Sequence, residues 1–115
     1  LTDRIEIQIP HTTVNEGSAF IATAYFRDEA TQAALTPTTA EYRIDCIETG
    51  NQVRDWTTLT PGESVAISIT STDNAIISDG NRRELKQLTV AADRGLSTQS
   101  LGRALYRVEN ITGVT

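Results

Sequence analysis

Methionine is absent from the 115 residues, cysteine and histidine each occur once, and aromatic side chains make up 5% of the chain. Each scarcity removes a class of explanation. With Cys46 as the single cysteine, no intrachain disulfide can staple two sheets together, and folding in a reducing compartment is expected. With so few aromatics, a core must be built from Ile, Val, Leu and Ala within a hydrophobic fraction of 38%. No stretch approaches the ~20 apolar residues of a helical membrane span, and the amino end carries no signal-peptide pattern, so a membrane is not an expected partner. Ten Lys and Arg stand against 15 Asp and Glu, for a formal charge of -5, and no basic run exceeds the pair Arg82 and Arg83. Phosphate binding needs a clustered cationic surface, so nucleic acid is not an expected partner either. Because the chain begins at Leu1 and holds no methionine, a further amino-terminal piece or a proteolytic cut is expected.

What the sequence does have is alternation. Ile5, Ile7 and Ile9, then Tyr42, Ile44 and Cys46, then Val65, Ile67 and Ile69 recur at the two-residue period of a strand with one buried face. Strands are predicted at about residues 4–9, 18–26, 39–47, 53–56, 64–70, 84–93 and 102–108. In the second, Phe20, Ala22, Ala24 and Phe26 point inward, while Ile21 and Tyr25 leave the opposite face apolar enough to be covered or to serve as a contact surface. Pro10 ends the first strand. Residues 27–38 read as a crossover loop with enough alanine to close one helical turn before Pro37. Thr49, Gly50 and Asn51 supply turn chemistry, Pro61 and Gly62 have the order of a type II turn, and Asp93, Arg94 and Gly95 read as a further turn. Residues 73–80 carry Ala75, Ile76 and Ile77 across the end of the fold. Leu85, Leu88 and Ala92 also satisfy a helical spacing, but Leu88, Val90 and Ala92 alternate, and the strand reading is preferred. About seven antiparallel strands in one domain, residues 1–115, are what an immunoglobulin-like β-sandwich requires.

The residues that could carry chemistry are few. His11 has no serine and carboxylate placed around it in a triad pattern and reads as a solvated loop residue. A zinc site needs about four ligands, which one Cys and one His do not supply. Asp73, Asn74 and Asp79 are close enough in sequence to line a loop with oxygen ligands for calcium, against the plainer reading as turn formers. Asp45 with Glu48, and Asp28 with Glu29, offer acid and base pairs without a pocket signature. Cys46, in register with Ile44, reads as an inert core residue. Trp56 reads as a plug over the core, with a partner-binding anchor as the alternative. Asn110, Ile111 and Thr112 form a glycosylation sequon that needs a secretory route, and it is discounted. The chain has no phosphate loop, dinucleotide fingerprint or nucleophile elbow. No catalytic, cofactor-binding or metal residue is therefore assigned.

The run Tyr42, Arg43, Ile44, Asp45, Cys46, through Asp55, Trp56, Thr57, to Val65, Ala66, Ile67, Ser68, Ile69 resembles small immunoglobulin-like proteins of tailed-bacteriophage virions. Leu88, Thr89, Val90 and the ending Tyr106, Arg107, Val108, Glu109, Asn110 continue the likeness, which covers most of the chain from about Ser18 onward. The resemblance implies a non-enzymatic structural protein: a head decoration or cement subunit, a head-to-tail connector or neck component, or an appended tail or fibre domain. Its implied partners are the major capsid or neck and tail proteins and copies of itself, with no small-molecule substrate, in a virion assembled in the bacterial cytoplasm. The alternative is an immunoglobulin-like adhesin module that recognises a cell surface through its loops. Ile111 and Val114, beyond the last strand, are expected to lie against a neighbouring subunit.

Overall fold

The structure, a computed structural model, describes residues 3–76 and 83–109. It is all-β, with eight strands: β1 (Asp3–Gln8), β2 (Thr13–Asn15), β3 (Phe20–Asp28), β4 (Ala40–Cys46), β5 (Gln52–Leu59), β6 (Ser64–Ile69), β7 (Arg83–Ala92) and β8 (Ser100–Glu109). They form a three-stranded sheet in the order β1-β3-β6 and a five-stranded sheet in the order β2-β8-β7-β4-β5. Neighbours pair antiparallel except β2, which runs parallel to β8 with Val14 opposite Val108.

The alternation in the sequence becomes the core. Ala22, Ala24 and Phe26 of β3 and Val65, Ile67 and Ile69 of β6 face Tyr42 and Ile44 of β4, Leu88 and Val90 of β7, and Tyr106 and Val108 of β8. Phe20 and Tyr106 meet edge to face across the two sheets, their ring centroids 5.2 Å apart. Ile5, Ile7 and Ile9 pack against this core only half-buried. Along that side β1 comes so near to β8 that a Cβ on Gly102 would sit 2.8 Å from the Ile5 side chain, so glycine is required there by close approach.

The strand reading of residues 84–93 holds as β7, and residues 27–38 do cross from one sheet to the other. That connection closes a single turn, with the Gln32 amide donating to the Asp28 carbonyl. Asp28 accepts from the amides of Ala30 and Thr31, and chiefly the Thr31 bond holds its carboxyl below the usual range.

Three expectations are corrected. The described residues form eight strands rather than about seven, because three residues around Val14 pair with β8, and that pairing is parallel. The strand expected at 53–56 extends over Gln52–Leu59. Gly62 lacks the positive φ of a type II turn, because residues 60–63 carry the chain between sheets instead of reversing it within one. Asp79, Asn110, Ile111, Val114 and part of the 73–80 segment lie outside the described residues.

Candidate functional site

The outer face of the five-stranded sheet is organised around Trp56. Opposite β4, the register of β5 shifts between Tyr42 and Ile44: Thr57 pairs with Tyr42, and Arg54, rather than residue 55, pairs with Ile44. Trp56 keeps the plain alternation of β5, opposite in parity to Thr57, Leu59 and the core-packed Val53, and so lies on the outer face, while the bulge sets Arg54 opposite the inward-facing Ile44 and turns it inward. The expected plug over the core is thereby corrected. Trp56 is half-buried between two guanidinium groups, with Arg94 Cζ 4.5 Å and Arg43 Cζ 5.6 Å from its ring centroid.

Carboxylates hold both arginines. Arg43 donates through Nε and Nη2 to the two Asp45 oxygens at 2.9 and 2.6 Å, and this pairing raises its pKa. Arg94 donates through Nη2 and Nε to Glu41 Oε2 at 2.8 and 3.2 Å. Its loop is fixed by Asp93, which has φ of 54° and accepts the amides of Thr38 and Thr39 at 2.8 and 3.1 Å. Cross-strand register sets Leu101 beyond Glu41 and Ala91, Arg103 beyond Arg43 and Thr89, and Leu105 beyond Asp45 and Gln87. Leu101 and Leu105 are about half exposed. The result is a tryptophan flanked by positioned arginines, residue types enriched where protein interfaces are anchored, with half-exposed leucines at the border.

A second polar cluster lies inside, where the chain after β6 crosses the end of the fold. Asp73 is buried, and its carboxylate accepts Arg54 Nε and Nη2 at 3.0 and 3.2 Å and the Thr70 amide and hydroxyl at 2.8 and 2.9 Å. The Lys86 ammonium, fully buried on the inner face of β7, donates to the carbonyls of Asp73 and Ala75 at 2.8 and 2.6 Å. Burial lowers the Lys86 pKa, with Glu84 opposing that shift. Asn74 donates its amide to the Ser18 carbonyl at 2.6 Å. Beside Lys86 in the sheet register stand Cys46 and Tyr106. Burial raises the Tyr106 pKa, and its hydroxyl finds no hydrogen-bond partner among the described residues.

Both Asp73 carboxylate oxygens and the Asn74 side-chain amide nitrogen bond to the protein itself, Asn74 Oδ1 is buried without a hydrogen-bond partner among the described residues, and Asp79 lies outside them. Among the described residues no cluster of His, Cys and carboxylates could hold a metal ion. His11 is exposed, Cys46 is buried in the core, and Glu48 accepts the Leu85 amide at 3.2 Å while Asp45 is held by Arg43. A hollow of about 410 Å³ at the ends of β3 and β6 is lined by Ala19, Phe20, Ile21, Ser68, Ile69, Thr70 and Ser71, none of them an acid or a base. Trp56 was singled out in the sequence as a core plug, with a partner anchor as the alternative, and the structure sets it on the outer face. The roles of Arg43, Arg94, Glu41 and Lys86 were not visible there, because each depends on strand register or on a loop distant in sequence. No protein-family model matches the chain, and neither does any curated protein.

Proposed function

We propose that the chain is an immunoglobulin-like, non-enzymatic structural module of a bacteriophage virion, seated on a capsid or neck lattice as a decoration, cement or connector subunit. What supports the immunoglobulin-like part of this reading is the strand order. The orders β1-β3-β6 and β8-β7-β4 are consistent with the A-B-E and G-F-C orders of an immunoglobulin domain. β5 extends the second sheet beyond C, as an additional strand does in variable-type domains. The residues of the phage resemblance fall on this frame, with Ile44, Cys46, Ile67, Ile69, Val90 and Tyr106 buried between the sheets.

The attachment surface in this reading is the outer face around Trp56, Arg43 and Arg94, with Leu101 and Leu105 at its border. Tryptophan and arginine give a large contact at low entropic cost, and repetition over a lattice multiplies a modest single-site affinity. The partners are lattice proteins and neighbouring copies, and the location is the virion, assembled in the bacterial cytoplasm. Mass spectrometry of purified virions is the test, and recovery of this chain at capsid-like or neck-like stoichiometry is the expected result. Recovery only from the cell envelope would support the adhesin reading instead. Within particles, Trp56→Ala is expected to reduce incorporation while leaving the β-sheet circular dichroism signal in place.

A further inference from the structure

The sheet edges differ in how they are protected. The β1 edge lies against β8 at the contact between Ile5 and Gly102. The β5 edge carries Arg54 and Asp55 and is bent by a bulge. Charges, bulges and coverage are the devices that keep edge strands from pairing with other chains. β6, Ser-Val-Ala-Ile-Ser-Ile, has no charge, no proline and an unbroken register against β3.

The free hydrogen-bonding groups of β6 follow from its pairing. Phe26 donates its amide to the Glu63 carbonyl at 3.0 Å, which makes these two a hydrogen-bonded pair. Antiparallel pairs alternate, so Val65, Ile67 and Ile69 bond to Ala24, Ala22 and Phe20, and the amides and carbonyls of Ser64, Ala66 and Ser68 point to the side on which no strand pairs among the described residues. Thr70 is next in that series, and its amide is capped by Asp73 at 2.8 Å. The open ladder therefore ends at Ser68.

We infer that β6 is a self-pairing edge, at which two copies of this chain join antiparallel about a two-fold axis through Ala66. Such a contact is isologous and closes on itself. In this register Ser64 faces the second copy's Ser68, Ala66 faces its counterpart, and all three pairs are of the hydrogen-bonded kind, giving about six N–H···O bonds. Glu63 meets the second copy's Ile69, so no like charges oppose one another. The exposed side chains along the seam are small, and Val65 beside the second copy's Ile67 continues the apolar inner face. The Asp73 cap at Thr70 sets the same limit on both copies. The pairing needs no lattice and is independent of the virion reading.

Sedimentation velocity of the whole chain over a concentration series tests this. The weight-average mass is expected to rise toward twice the 12.5 kDa of one chain. Ala66→Pro removes an amide that β3 does not use, so it should abolish association while keeping the melting temperature and the circular dichroism spectrum. Should the ring disturb the strand, Ala66→Lys and Ala66→Glu give a second route. Each alone is expected to weaken association by about tenfold or more through like charges at the axis, and an equimolar mixture to restore it. A wild-type chain that stays monomeric at its highest attainable concentration overturns the inference, even if β6 then accepts a strand from another protein. So does association that survives the Ala66 variants unchanged.

Discussion

Arg43 and Arg54 sit on adjacent strands and each holds a carboxylate through two nitrogens, yet the two pairs do different work. Arg43 and Asp45 share the outer face, with side chains 28% and 24% exposed; Arg54 reaches inward to Asp73, whose side chain is 3% exposed. Geometry is similar and surroundings are not. The Asp45 charge can be rehydrated if its partner leaves, so the pair adds little to stability and its arginine remains available to a partner. The Asp73 charge cannot, and it also accepts two bonds from Thr70 and sits on the loop gripped by Lys86. An arginine-carboxylate pair therefore indicates fold or contact according to how deeply the acid lies.

The comparison breaks most visibly at Asp73. Asp73→Ala strands the partly buried Arg54 and leaves the Thr70 amide unpaired, and is expected to cost about 3–5 kcal/mol in chemical denaturation. Lys86→Met keeps the volume and removes the bonds to two loop carbonyls, for an expected loss of about 2–3 kcal/mol. The same variant alters the pH profile. The buried Lys86 gives up its proton at lower pH than the unfolded chain does, so between its lowered folded pKa and the ordinary lysine value of 10.5 the unfolded state binds more protons. Wild-type stability from this group rises with pH through that window, and the Met variant lacks the rise.

Tyr106 acts in the opposite sense. Its raised pKa keeps the folded hydroxyl protonated above the ordinary tyrosine value of 10.0, where the unfolded chain ionises, so stability falls as pH climbs past it. Tyr106→Phe is expected to remove that fall and, by deleting a buried hydroxyl without a partner, to gain about 1 kcal/mol at neutral pH. The smallest effects belong to the outer face. Asp45→Ala and Arg94→Ala should each change stability by less than about 1 kcal/mol, while on the proposed virion reading incorporation into particles falls. A stability loss at Asp45 as large as that at Asp73 would erase the distinction between the two pairs.

The sequence made the interior legible wherever alternate positions carry Ile, Val or Leu, as in β4, β6 and β7. It did so less well where a charge takes an inward position. Glu84 and Lys86 occupy inner sites of β7, continuing the series of Leu88 and Val90, but nothing local announces that carbonyls from residues 73 and 75 will meet the ammonium group. Trp56 was misread for a different reason: its alternation with Val53, Thr57 and Leu59 already puts it on the outer face, and the plug reading followed its size instead of that parity. β2 escaped notice because three residues with one buried Val14 carry too little periodicity to register.

The parallel pairing of β2 with β8 also sets a timetable. Thr13 meets Arg107, and β1 rests on the same strand through Ile5 and Gly102, so β1 and β2 wait for β8 before they have their full set of neighbours. During synthesis the amino end emerges first, and contacts this distant in sequence form late. Until Ser100–Glu109 leaves the ribosome, β7 has a bare margin where β8 belongs. A chain released before that point would lack the strand that both β2 and β7 pair with, and it would offer nascent neighbours an unfilled place in the sheet.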